Sequence, residues 1–290
     1  MKLLFDENLS FMPCVRLADL WKQRMTLKAR LFVSKVALAA AALLLFAASA
    51  DAAEIKVMGS AGFKAAYLEL AAEFERTTGH KIVNAWGPSM GATPQAVPNR
   101  IARGEPVDVV IVVGDALDKL IKDGKVVASS RTDLARSLIG AAVRAGAPRP
   151  DISSVAAFKT ALADAKSIAY SDSASGVYIE TVLYKKLDVS DAIRAKSKMI
   201  PAEPVGEVVA RGDAALGFQQ VSELLPIKGI DVLGPIPADI QKVTVFSAGI
   251  ATGAQQPEAA AALIKFLAAP AAAPVITKSG MEPVVSGAKD

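Results

Sequence analysis

The stretch from Ile55 to Gly91 restricts the fold more than any other part of the chain. It opens on a short apolar run, Ile55 to Met58, bounded by Gly59, which is the pattern of a buried strand. Ser60-Ala61-Gly62 comes next, and then Phe63, Tyr67, Leu70, Ala71 and Phe74 fall on one face of a helix. Gly79 stands where a helix of that length takes its C-terminal glycine. A second strand, Lys81 to Trp86, runs into Gly87-Pro88-Ser89-Met90-Gly91. Open α/β sheets bind ligands beyond the carboxyl ends of their strands. A helix N-terminus offers free backbone N–H groups and a partial positive charge to an anion. Two hydroxyl-bearing loops at one sheet edge therefore describe an anion site that needs no charged side chain.

The alternation continues along the chain. Val107 to Val113 is a nearly continuous apolar run, as in a central strand covered on both faces. A helix capped by Asp115 runs through Ile121 to Gly124, and another apolar strand lies near Ser137 to Val143. A second series then begins. A helix from Ser154 to Ala165 precedes a strand at Ser167 to Tyr170, and Ser171 to Gly176 (SDSASG) repeats the serine-rich loop before a helix from Val177 to Leu187. A helix at Val205 to Arg211 leads to a strand, Ala214 to Phe218, that ends in Gln219-Gln220. A strand from Val243 to Ile250 and helices at Pro257 to Ala268 and Ala271 to Ser279 close the chain. This order predicts an α/β fold of two lobes, each a mostly parallel sheet flanked by helices. Two hinge crossings are expected near Ser137–Arg144 and Ile240–Ser247. Residues 51–138 and 244–290 then form lobe 1, and residues 139–243 form lobe 2.

Residues before Asp51 belong to neither lobe. Lys28, Arg30 and Lys35 precede an uncharged run, Val36 to Ala50, that ends in Ala48-Ser49-Ala50. The run is short for a membrane span, and its basic flank and small-residue exit describe a secretory signal over 25–50, cleaved near Ala50–Ala53. Export to the periplasm is the expectation. The opening MKLLFDENLSFMPCVRLADLW resembles the first strand and helix of small PIN-like toxin nucleases, in which Asp6-Glu7 would help bind a metal. The remainder of such a nuclease does not follow, and residues 1–24 are read as a misplaced start or gene-boundary scar.

Seven of the 33 basic and three of the 29 acidic residues precede Asp51, which leaves 26 of each. A balanced mature chain gives no electrostatic footprint for nucleic acid. Cys14 is the single cysteine and lies in the leader, so the mature chain has no disulfide, thiol nucleophile or thiolate metal site.

Gly87 to Gly91 matches the G-x-S-x-G nucleophile elbow and follows a strand. That mechanism needs a histidine after the serine, and the one histidine, His80, precedes it. Ser89 is accordingly read as a hydrogen-bond donor to ligand, and His80 as a solvated turn residue. No P-loop or G-x-G-x-x-G is present, and neither a metal nor a cofactor is implied.

With these pieces in order, residues 54–284 resemble the periplasmic molybdate-binding proteins, type II two-lobed solute-binding proteins that serve ABC importers. The resemblance rests on IKVMGSAGFKAAYLELAAEFERTTGHKI, GEPVDVVIVVGDALDKLIKDGKV, SASGVYIETVLYKKL and GEVVARGDAALGF, with the closing LIKFLAAPAAAPVITKSGMEP. It implies ligand-binding positions at Ser60, Ala61, Gly62, Ser89, Ser175, Gly176, Tyr178 and Gln220, and Met90, Ser173 and Gln219 are candidates from the same loops and strand end. Two positions depart from the family: Gly62 replaces a usual serine or threonine, and Gln220 replaces a tyrosine. Both put molybdate itself in doubt and leave a molybdate-like oxyanion or an organic carboxylate as the anion; Gln220 favours the carboxylate, and Arg144 is either a charge partner for it or a solvated surface charge. The resemblance further implies a monomer without enzymatic activity that closes on a small anion and presents it to an inner-membrane permease. A periplasmic sensor and a Ser89-dependent hydrolase are the alternatives.

Overall fold

The computed structural model describes residues 52–284, so the signal segment and residues 1–24 lie outside the described residues. The first half comprises β1 (Glu54–Gly59), α1 (Ala61–Thr78), β2 (Lys81–Trp86), α2 (Val97–Ala102), β3 (Val109–Val113), α3 (Gly114–Lys122) and β4 (Thr132–Ser137). Next come β5 (Ile139–Arg144), α4 (Val155–Asp164), β6 (Ile168–Ser171) and α5 (Ala174–Tyr178), which continues through a π-turn at Ile179–Leu183 into Tyr184–Lys186. The chain then forms α6 (Asp191–Ala195), β7 (Ser197–Ile200), α7 (Val205–Arg211), β8 (Leu216–Gln220) and α8 (Val221–Leu224). It closes with β9 (Ile230–Pro235), β10 (Thr244–Ile250), α9 (Pro257–Leu267), α10 (Ala273–Lys278) and β11 (Glu282–Pro283).

These strands form two sheets, ordered β11-β4-β10-β3-β1-β2 and β7-β6-β8-β5-β9. The β-α-β portions are parallel as expected: β1 runs with β2 and β3, and β6 with β7 and β8. Strands that lead into or out of a crossing pair antiparallel, so each sheet is mixed. All five residues of β3 are buried, because helices cover both faces of the first sheet. α1 seals one face with Phe63, Ala66, Tyr67, Leu70, Ala71 and Phe74, and Gly79 ends it at φ 78° with its N–H on the Glu75 carbonyl. Burying such side chains stabilises the lobe by about 1.5–3 kcal/mol each for the larger ones.

Leu138 alone separates β4 from β5; the strand expected near Ser137 to Val143 is β5, and β4, which precedes it in the other sheet, was not expected. The return passage runs between β9 and β10. Gln241 fastens the two passages together: its amide accepts from the Ile139 N–H at 2.9 Å and donates to the Ile139 carbonyl at 2.9 Å, imitating a strand neighbour. α8 of the second lobe packs on α1 of the first, and Ser222 Oγ donates to the Gly62 carbonyl at 2.7 Å.

Candidate functional site

The carboxyl ends of the parallel strands from both sheets meet at a cavity of about 270 Å3. The first lobe contributes Ser60, Ala61, Lys64, Trp86, Gly87, Pro88 and Gln95. The second contributes Ser171, Asp172, Ser173, Ala202, Glu203, Pro204, Gln219 and Glu223.

Ser60 and Ala61 sit where β1 turns into the 18-residue α1, so the helix N-terminus opens on the cavity. Ser60 carries no side-chain cap bond to its own helix. One turn on, the Lys64 ammonium stands 5.2 Å from the centre of the Trp86 ring, and Tyr67 meets the same ring edge-on at 5.4 Å. Only glycine fits at position 59, where a Cβ would lie 2.7 Å from the Trp86 ring. The first lobe thus supplies a cation, an aromatic wall and free backbone donors.

The second lobe supplies carboxylates in three different settings. Asp172 Oδ2 accepts from the Ala202 N–H at 3.0 Å, and Ala202 sits at φ 53°, a left-handed conformation costly for alanine. Glu203 is paired with Arg211. Glu223 Oε1 accepts from Gln219 Nε2 at 2.9 Å, and the same Gln219 amide accepts from the Val205 N–H at 2.9 Å. Glu223 keeps part of its surface open to the cavity while protein encloses its carboxyl group. Burial pushes that carboxyl up to about 7, against the Gln219 and Gln220 hydrogen bonds that favour its ionised form, and the Asp172 charge adds to the rise.

Of the positions expected from sequence, Ser60, Ala61, Ser173 and Gln219 line this cavity. Ser175 is buried just behind it, 3.0 Å from the lining Ser171 hydroxyl. Gly176 is also buried and packs on the Ser171 backbone. The others lie elsewhere. Ser89 is fully buried and accepts from the Val113 N–H at 3.1 Å, which fastens its loop to the end of β3. Met90 packs against the first core. Tyr178 donates to the Ile240 carbonyl at 2.9 Å and thereby holds α5 to the return passage. Arg144 is exposed at the end of β5. His80 is half-buried instead of solvated: its Nδ1 accepts from the Ala53 N–H, and its ring stacks on Phe74 at 5.7 Å.

Gln220 differs most from expectation. Adjacent residues of a strand face opposite ways, so with Gln219 in the cavity Gln220 points to the crossings. There its amide donates to Thr244 Oγ1 at 3.0 Å and its Oε1 is buried without a partner. Gly62 also has a local cause. A Cβ there would lie 2.2 Å from the Phe246 ring, so that ring occupies the space a serine or threonine would take. Gly62→Ser should cost about 1–3 kcal/mol as an overpacking change. A double-mutant cycle with Phe246→Leu, followed by urea unfolding, should return a favourable coupling of about 1 kcal/mol or more. A cycle with no coupling would mean that the ring is not what excludes the side chain.

Cavity-lining side chains that the sequence reading did not single out include Lys64, Trp86, Asp172, Glu203 and Glu223. Asp172 lay inside the flagged SDSASG loop, and Glu223 follows Gln219 by four positions, one helical turn past a strand end. That spacing was the signal available for it.

Two mixed sheets flanked by helices, joined by two crossings around a cavity, define the two-lobed fold of the type II periplasmic binding proteins. The chain belongs to the bacterial extracellular solute-binding protein family, which it matches over residues 55–282. It is 52% identical over 230 residues to a Pseudomonas protein named aconitate isomerase, covering 79% of this chain and 88% of the relative. It is 31% identical over 248 residues to the molybdate-binding protein ModA of Azotobacter vinelandii, covering 81% and 92%. The solved Azotobacter vinelandii periplasmic molybdate-binding protein superposes with a TM-score of 0.62 at 22% identity, covering 78% of this chain and 98% of that one. The expected absence of enzymatic activity does not stand, because a relative with about half its residues identical is named for a catalysed reaction.

Proposed function

We propose that this protein is an exported member of its family that isomerises a small unsaturated tricarboxylate of the aconitate type in the cavity between its lobes. The reading is carried by the cavity carboxyl of Glu223, poised near neutrality, in a chain so similar to a named aconitate isomerase. Size supports it. At ~30 Å3 per water the cavity has room for about nine waters, more than a five-atom oxyanion fills. Lys64 and the α1 N-terminus attract carboxylates and Ser60 and Ser173 add hydroxyl donors, set against the negative charge of Asp172 on the same lining.

The chemistry is self-contained. Aconitate bears a methylene and a vinylic carbon on either side of its central carbon, each end carrying a carboxylate. A proton leaves the methylene, and its C–H electron pair becomes the new double bond to the central carbon. The old double bond's electron pair takes a proton at the former vinylic carbon. The connectivity is unchanged, and the geometry about the new double bond is set afresh. No oxidant, reductant or cofactor enters the balance. A group that gives and takes protons near pH 7 is what such a shift requires. Members of the family serve ABC importers, and handing the bound acid to an inner-membrane permease would use the same cleft.

Incubating purified protein with trans-aconitate in deuterium oxide tests this directly. Proton NMR should reveal the cis isomer appearing together with deuterium at the methylene carbon. Tight binding of either isomer without interconversion would overturn the reading, as would submicromolar molybdate binding that aconitate cannot displace.

A further inference from the structure

The cavity carboxylates differ in what holds them. Asp172 is committed to the strained Ala202 turn, and Glu203 to the Arg211 guanidinium. Glu223, like Asp172, is held by neutral N–H donors, the Gln219 amide and the Gln220 backbone, and both of these belong to the regular strand β8. The Gln219 amide cannot turn round, because its oxygen is engaged by the Val205 N–H at the start of α7. Its nitrogen is therefore always the end presented to Glu223. β8 and α7 together fix the Gln219 amide beside the carboxyl of the cavity-lining Glu223.

We propose that Glu223 is the catalytic residue that carries the proton between the terminal carbons of the bound tricarboxylate, and that Gln219 is the positioning residue that aims it. The inference rests on the isomerase reading above. A Glu223 oxygen takes the methylene proton while the C–H electron pair becomes the new double bond. The Glu223 carboxyl then returns a proton to the other end as the old π pair forms the C–H bond there. The residue finishes in the state in which it began. Both forms are populated near neutrality, because burial raises this carboxyl to about 7. The charged groups that line the cavity with it are Asp172, whose charge raises it further, Lys64 of α1, and Glu203 with its Arg211 partner. A neutral Glu223 also removes one negative charge from a cavity that must admit a polyanion.

Three proteins test this: wild type, Glu223→Gln and Gln219→Leu. For each, isomerisation is followed across pH 5–9 and trans-aconitate binding is measured by calorimetry. Wild-type kcat should rise with a single ionisation near pH 7. Glu223→Gln should lower kcat by about 100-fold or more, with Kd changed less than about tenfold. Gln219→Leu removes a donor that favours the ionised carboxylate, so the midpoint of its kcat profile should move to higher pH while activity stays measurable. A purely structural role for Gln219 would lower activity without moving that midpoint, and would overturn its part of the proposal. Wild type that isomerises alongside an equally active Glu223→Gln overturns the assignment and leaves the isomerase reading standing. Wild type that binds trans-aconitate without isomerising it overturns both.

Discussion

Gly176→Ala is expected to cost more than about 4 kcal/mol and to remove the second lobe's half of the cavity. A Cβ at this position would lie 1.6 Å from the Ser171 carbonyl oxygen and 2.7 Å from the carbon behind it. Overpacking usually costs about 1–3 kcal/mol because a side chain can swing aside. Here the obstacle is backbone, and it belongs to β6, which is paired on both sides with β7 and β8. The strand cannot retreat, so α5 must lift, breaking the contact between the Ser171 and Ser175 hydroxyls and displacing Asp172 and Ser173. Losses above 4–5 kcal/mol are exceptional and point to a named clash of this kind. Urea unfolding of the variant beside Gly253→Ala, whose added methyl meets nothing within 4 Å, checks it. The control should stay within about 0.5 kcal/mol of wild type. A Gly176→Ala loss below about 1 kcal/mol would mean that the helix seats on the strand with slack.

The sequence marks the SDSASG loop for its serines and not for this clash, and sequence reasoning succeeds where local chemistry decides. Hydrophobic periodicity and glycine punctuation identified β2 and α7 to the residue, along with the Gly79 terminus of α1, because each depends on local chemistry. β9 escaped notice: it is an edge strand of intermediate exposure, so no alternation marks it. β4 escaped too, because Thr132, Asp133, Arg136 and Ser137 break its apolar pattern. In the site, the serines at strand-to-helix turns were legible as Ser60 and Ser173. Gln219 and Gln220 could not be told apart, since neighbouring strand residues face opposite sides and only the tertiary fold decides which side is the cavity. Glu223 was the least legible. A lone glutamate after a strand ordinarily faces water, and its enclosure comes from elements far away in the chain. Asp172 and Gln219 meet it only after β6 and β8 have paired.

Glu223→Gln should make the folded protein more stable at pH 8 by about 2–3 kcal/mol and leave it nearly unchanged at pH 4. The folded carboxyl titrates at about 7, raised from the ordinary value of 4.5. Between those pH values the folded chain binds more protons at this site than the unfolded chain does. Wild-type stability therefore falls as pH rises through this window, and the full penalty is in force above pH 7. Each tenfold rise in proton affinity on folding corresponds to about 1.4 kcal/mol, and part of Glu223 remains open to the cavity, which reduces the effect. Glutamine keeps an oxygen for the Gln219 amide to donate to and never ionises, so it escapes the penalty. Urea unfolding of both proteins at pH 4 and pH 8 measures the difference. An equal ΔΔG at the two pH values would mean that Glu223 ionises as easily folded as unfolded, and its place as a proton carrier would lose its physical basis. A gain confined to high pH, paired with a loss of turnover, is the pattern of a site that holds a charged group where folding alone would favour a neutral one.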